Sequence, residues 1–235
     1  MKALVEQLNL QFSEDRPEEL IAHLLHTYGS RVALASSLGL EDQVLTDMII
    51  RADKSARIFT IDTGRLFPQT YKLIAKTTDH YHFRMEVYSP EHRPVEEYVM
   101  NYGINGFYDS IESRKSCCRV RKIEPLMRAL STLDVWICGL RREQSVTRTE
   151  VKLVEWDEAN GLIKVNPLVK YTEQDVWDYI KQYNVPYNPL HHKNYPSIGC
   201  EPCTRAVQPG EDIRSGRWWW ESPDHKECGL HTANR

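Results

Sequence analysis

Cys117 and Cys118 stand side by side, and Cys200 and Cys203 form a Cys-x-x-Cys pair much later in the chain. Four thiolates drawn from two distant points are what a four-coordinate soft-metal site requires. A zinc ribbon supplies two Cys-x-x-Cys knuckles, whereas here one half is a tandem pair that forces neighbouring side chains onto one centre. That departure points away from an ordinary zinc module and towards an iron–sulfur site. Cys138 differs, since it lies in the apolar run VWICG and reads as a buried structural thiol. Cys228 sits in KECGLH with Lys226, Gly229 and His231 close by. A cationic, partly exposed setting lowers a thiol pKa and makes a nucleophile, against the plainer reading of an idle tail cysteine.

Cations follow the tandem pair directly: Arg119, Arg121 and Lys122 in CCRVRKIEPL. Near an anionic thiolate centre such charges are favourable; the alternative is a solvated basic helix face. Gly139-Leu140-Arg141-Arg142-Glu143-Gln144-Ser145 and Arg148 place guanidinium groups after an apolar run, and arginine forks match phosphate and sulfate oxygens. Glu143 and Glu150 are the partners that would instead make this a surface salt-bridge cluster. Arg214 and Arg217, at (i, i+3) within GEDIRSGRWWWE, are spaced to present two cations on one helical face.

These residues need a scaffold. Arg31–Ser36, Arg57–Ile61, Phe83–Tyr88 and Val135–Gly139 read as short buried strands, and Glu41–Ala52, Phe67–Thr78 and Pro90–Tyr102 carry helical spacing between them. The alternation predicts an α/β fold: a parallel twisted sheet with helices on both faces. Pro17–Tyr28 is a preceding helix with Pro17 in its first turn, and MKALVEQLNL reads as an amphipathic helix rather than a signal peptide. Val151–Glu155 and Leu162–Val165 resemble a hairpin. Thr172–Tyr183 is a helix with Thr172 as cap and Asp175 at the capping-box position. From Val185 onward prolines, glycines and aromatics dominate, so the expectation is one domain over 1–235 with an irregular C-terminal appendage, its last part, 206–235, a mobile tail bearing Cys228. Ser36-Ser37-Leu38-Gly39-Leu40-Glu41-Asp42 and Asp62-Thr63-Gly64-Arg65 then fall at the carboxyl edge of the sheet, where α/β proteins bind nucleotides.

With 235 residues, 41% of them apolar, the chain can bury one sizeable core. A formal charge of -3 gives no general reason to expect a nucleic-acid partner, and no apolar run approaches membrane-spanning length. Six cysteines without a secretory signal point to a reducing cytoplasm.

Taken together, Ser36–Asp42, IDTGRLFPQTY, SCCRVRKIEPL, GLRREQS, SIGCEPCTR, GRWWWE and KECGLH resemble, in order and spacing and over nearly the whole chain, the APS/PAPS reductase family, and within it the assimilatory adenylyl-sulfate reductases. The first loop departs from the SGGxDS loop of ATP-cleaving relatives, with Leu38 and Gly39 in place of the paired glycines, which argues against ATP cleavage. The resemblance implies an adenine nucleotide alpha hydrolase-like fold and a 4Fe-4S cluster held by Cys117, Cys118, Cys200 and Cys203. By the same carry-over Cys228 is the catalytic thiol. Ser36, Ser37 and Gly139 line the adenosine pocket, and Lys122, Arg148, Arg214, Arg217 and His231 surround the phosphosulfate. Asp62, Arg65 and Arg141 join the substrate-binding set through their loops. The implied reaction reduces adenosine 5′-phosphosulfate to sulfite and AMP through an S-sulfocysteine, with thioredoxin or a glutaredoxin-like dithiol as donor and a homo-oligomer allowed. The rival readings are reduction of the 3′-phosphorylated nucleotide (PAPS) and a non-catalytic zinc-containing nucleotide-binding module.

Overall fold

Strand formation follows the apolar runs. A computed structural model describes residues 2–144 and 150–222, and its strands form one six-stranded sheet in the order β3-β2-β1-β4-β6-β5. The strands are β1 (Val32–Ala35), β2 (Arg57–Ile61), β3 (Glu86–Tyr88), β4 (Val135–Ile137), β5 (Val154–Asp157) and β6 (Leu162–Val165). β1 pairs in parallel with β2 and β4, and β4 with β6. The sheet is parallel as expected, and the expected hairpin, β5–β6, joins it through β6, leaving β5 antiparallel at one edge. The two middle strands, β1 and β4, are apolar throughout, as suits strands covered on both faces.

The helices are α1 (Lys2–Gln11), α2 (Pro17–Tyr28), α3 (Leu40–Ala52), α4 (Pro68–Tyr81), α5 (His92–Tyr102), α6 (Ile111–Cys118), α7 (Glu124–Leu130) and α8 (Glu173–Tyr183). α2 starts with Pro17 in its first turn and buries Leu20, Ile21, Leu24 and Leu25; burying each stabilises by about 1.5–3 kcal/mol. α3 is buried nearly all round, so its polar residues must find partners within the protein. Gln43 Nε2 donates to Thr77 Oγ1 (2.8 Å) and to the Pro186 carbonyl (2.7 Å), and Asp47 accepts from the hydroxyls of Tyr81 (2.9 Å) and Tyr179 (2.8 Å). α8 carries the expected capping box between Thr172 and Asp175.

The chain gathers into two compact units. The first comprises Met1–Thr60, Lys72–Glu86 and Thr132–Asn188; the second comprises Ile61–Tyr71, Val87–Ser131 and Pro189–Arg235. In the first, α2 and α3 pack on β1, α1 on β5 and α8 on α3. In the second, α6 runs into a π-helical turn, Arg119–Ile123, before α7. In the same unit Val207 N donates to the Asn194 carbonyl, Arg205 N to Gly216, and Trp218 N to Cys203. No described helix is long and apolar enough to cross a membrane.

Candidate active site

In the first unit the strand order reverses between β1 and β4, and at such a switch point the carboxyl ends of the strands leave a crevice. The loop after β1 is shaped by a buried carboxylate. Asp42 Oδ2 accepts from Ser37 N and from Ser37 Oγ, both at 2.6 Å. Ser36 Oγ accepts from Leu38 N (3.1 Å), and Leu38 holds the left-handed backbone, φ +63°, that a glycine takes without strain. Burial pushes the Asp42 carboxyl up to about 6, against the lowering effect of the Ser37 hydrogen bonds. From β4, Gly139 comes so close that a Cβ there would strike Asp42 Oδ1 and lie 2.9 Å from Glu41 Cβ. Arg141 is buried, its Nε donating to Glu41 Oε1 at 2.7 Å.

The second unit assembles the four thiols. Ser110 caps α6, accepting from Ser113 N (3.0 Å), so Cys117 and Cys118 fall in its last turn. Cys200 and Cys203 bracket a 3₁₀ turn closed by Cys203 N on the Cys200 carbonyl (3.0 Å). This knuckle pairs with the loop after β2 through a Leu66–Cys200 bridge and a hydrogen bond from Glu201 N to the Arg65 carbonyl (2.8 Å). All four cysteines pack with Phe107, Trp218 and Trp220. The Thr63 hydroxyl lies 3.1 Å from Cys200 Sγ, and the Thr63 carbonyl accepts from Arg121 Nη1 at 2.9 Å. Asp62 Oδ1 accepts from Gly64 N (2.8 Å) and the Tyr71 hydroxyl (2.7 Å), while Arg65 binds Asn105 Oδ1 (2.8 Å) and the Ile104 carbonyl.

The chemistry of this donor set fits an iron–sulfur group. Burial, followed by the charge of neighbouring cysteines, pushes the Cys203 thiol far up, and burial also raises Cys117 against the pull of Arg121. Thiolates crowded in this way need a positive centre to hold them. Trp218 Nε1, Trp220 Nε1 and Arg217 Nε are buried donors with no hydrogen-bond partner among the described residues. A group carrying its own sulfur acceptors would satisfy donors of this kind. No three of the described His, Cys, Asp or Glu side chains are arranged to hold a single metal ion.

The phosphoadenosine phosphosulfate reductase domain model matches residues 31–206. The chain belongs to that family. A protein named adenosine 5′-phosphosulfate reductase from Allochromatium vinosum is 54% identical over 213 residues, covering 91% of this chain and 83% of that protein. One of the same name from Burkholderia cepacia is 51% identical over 217 residues, covering 92% and 86%. Among solved structures, the phosphoadenylyl-sulfate reductase from Candida auris in a phosphate complex superposes with a TM-score of 0.72 at 28% identity, covering 86% of this chain and 96% of that one.

In this PAPS reductase-family chain the expected site residues divide between the units. Ser36, Ser37, Gly139 and Arg141 fall in the first; Asp62, Arg65, Lys122, Arg214, Arg217 and the four cysteines fall in the second. Lys122 is half-buried within the π turn, as is Arg214 in its own turn. The expected helical spacing of Arg214 and Arg217 is replaced by turns. Trp218 has φ +41°, and Arg217 is buried with its guanidinium 4.7 Å from the Trp218 ring. Cys138 is buried and its thiol is pushed far up by burial, as suits a structural residue. Arg148, Cys228 and His231 lie outside the described residues. Asp42 and Thr63 belong to the two loops expected at the sheet edge, but their hydrogen bonds to Ser37 and Cys200, and that of Arg114 to Glu221, have no signal in the sequence.

Proposed function

We propose that the chain is a dithiol-dependent reductase of adenosine 5′-phosphosulfate, releasing sulfite and AMP. The observation that supports this most is the convergence of Cys117, Cys118, Cys200 and Cys203 in a chain 54% identical to a protein named for that activity. The named relatives favour the nucleotide without a 3′-phosphate; the solved phosphoadenylyl-sulfate reductase stands at 28% identity.

In the proposed chemistry the Cys228 thiolate attacks the sulfate sulfur. The S–O bond to the phosphoryl oxygen breaks, AMP leaves with the electron pair, and an S-sulfocysteine remains. A thiolate of the donor then attacks Cys228 Sγ, the S–S bond to the sulfonate breaks, and sulfite leaves with that pair. The donor's second thiol resolves the mixed disulfide, so the donor dithiol is oxidised by two electrons as the sulfur is reduced. Thioredoxin or a glutaredoxin-like protein supplies the dithiol, in a reducing cytoplasm. Lys122, Arg148, Arg214, Arg217 and His231 neutralise the meeting of thiolate and polyanion. Ser36, Ser37 and Gly139 seat the adenosine. Cys117, Cys118, Cys200 and Cys203 hold a 4Fe-4S cluster, which when bound supplies a fixed local charge rather than electrons.

The experiment is anaerobic purification, iron, sulfide and zinc analysis, and sulfite release assayed with both nucleotides and thioredoxin. Iron with sulfide, and a higher kcat/KM for the nucleotide lacking the 3′-phosphate, are expected. A colourless zinc protein releasing no sulfite contradicts the reading.

A further inference from the structure

Arg114 is the most deeply buried charged side chain among the described residues of the second unit, and it is not part of the proposed chemistry. Its side chain is 1% exposed and that of its partner, Glu221, is 3% exposed. The contact is a double fork: Nε donates to Glu221 Oε1 at 2.9 Å and Nη2 to Oε2 at 2.7 Å. The Arg114 guanidinium also lies 4.8 Å from the Trp218 ring centroid and hydrogen-bonds the Cys118 side chain. Arg114 stands one helical turn before Cys118 on α6, so both side chains lie on one face.

Burying a guanidinium is unfavourable unless every partner is well placed, and removing one partner leaves an uncompensated buried charge. Here the partners belong to two functions. Cys118 is one of the four thiols of the metal site. Glu221 is the root of the segment that leads to residue 228, seven positions on. Seven residues span at most roughly 25 Å even when fully extended. The position of Glu221 therefore fixes where that segment begins.

We infer that Arg114 is a positioning residue that anchors the root of the Cys228 segment to the four-thiol site through Glu221, so that loading of that site and delivery of the nucleophile depend on each other. This rests on the proposed role of Cys228 as nucleophile. Arg114 touches Cys118 and Glu221 at once, so a displacement at either end is felt at the other, and the coupling acts equally in both directions. Loosening the anchor dilutes Cys228 near its target without removing a group that touches substrate, so it slows the chemical step more than it weakens binding.

The test uses the full chain, purified anaerobically. Amide hydrogen exchange is followed on peptides covering 216–222, with peptides of α2 and β1 as the measure of intact fold. In Glu221→Gln, exchange over 216–222 is expected to rise about ten-fold or more while α2 and β1 are unchanged. Iron should pass faster to a chelator. Formation of the sulfo-adduct on Cys228 at saturating adenosine 5′-phosphosulfate should slow about ten-fold, with nucleotide affinity held within about three-fold. If the lone buried Arg114 prevents folding of that variant, Arg114→Met combined with Glu221→Leu leaves no unpaired charge and should show the same split. Glu221→Asp, which keeps the charge, should recover part of the rate. Unaltered exchange over 216–222, or adduct formation at the parent rate in both the single and double variants, overturns the inference. A parent chain that forms no adduct on Cys228 counts against the functional reading alone, and the exchange and iron measurements then still decide the anchor.

Discussion

The Thr63 hydroxyl stands 3.1 Å from the Cys200 sulfur, while the carbonyl of the same residue accepts from Arg121 at 2.9 Å. One loop residue thus links a thiol of the Cys-x-x-Cys knuckle to the cation beside the tandem cysteines. A hydrogen bond to a ligand sulfur drains negative charge from it and raises the reduction potential of an iron–sulfur group. Thr63→Val keeps the shape and loses the hydroxyl. With the proposed iron–sulfur group bound at Cys200, it should lower the potential and speed iron loss to a chelator, while Thr63→Ser should retain most of both. Potentiometry with visible absorbance checks this; an unchanged potential in Thr63→Val contradicts it.

Gly139 tests the nucleotide loops. An added methyl group would collide with Asp42 Oδ1, so either the loop after β1 or the end of β4 must shift. Gly139→Ala should cost about 1–3 kcal/mol in stability by overpacking and weaken nucleotide binding by about ten-fold or more, since the proposed adenosine site uses the same loops. Denaturant unfolding and equilibrium binding check the two effects separately. Full affinity in Gly139→Ala would place the adenosine elsewhere.

Asp42 gives a pH dependence of definite sign. Its folded pKa, about 6, lies above the ordinary 3.8, so the native state binds the proton more tightly than the unfolded chain. The stability this contributes is complete below 3.8 and is lost as pH rises through about 6. Its size is on the order of 3 kcal/mol at 1.36 kcal/mol per pKa unit. Urea unfolding at pH 5 and pH 7.5 should show the parent weaker at the higher pH by part of that amount. Asp42→Asn should flatten the difference; an equally steep slope in Asp42→Asn contradicts the assignment.

Local signals in the sequence were read correctly where a few neighbouring residues decide the structure. Pro17 and the Leu20–Leu25 spacing define α2, the RIFTI run defines β2 at Arg57–Ile61, and Thr172 with Asp175 opens α8. What depends on distant partners was not legible. α6, IESRKSCC, has almost no apolar face, and Ser110 caps it while Arg114 is held by Glu221. The π turn after Cys118 has no spacing signature of its own. Arg141 reads as a free fork at the sheet edge, yet Glu41 takes its Nε, and Arg142 is likewise taken by Glu14. The Phe83–Tyr88 strand shortens to Glu86–Tyr88, with Phe83 N bonded instead to the end of α4 at the Thr78 carbonyl. The tandem pair and the Cys-x-x-Cys pair stand out in the sequence by their spacing, and the structure brings the four thiols into one cluster.

The most direct test is a single turnover without electron donor. The anaerobic protein is mixed with adenosine 5′-phosphosulfate, and its peptides are weighed by mass spectrometry. The account predicts one sulfonate on the Cys228 peptide, AMP released in equal amount, and sulfite appearing only when a dithiol is added. Sulfite or AMP formed at the parent rate by Cys228→Ser, or a sulfonate carried by another cysteine, would contradict it.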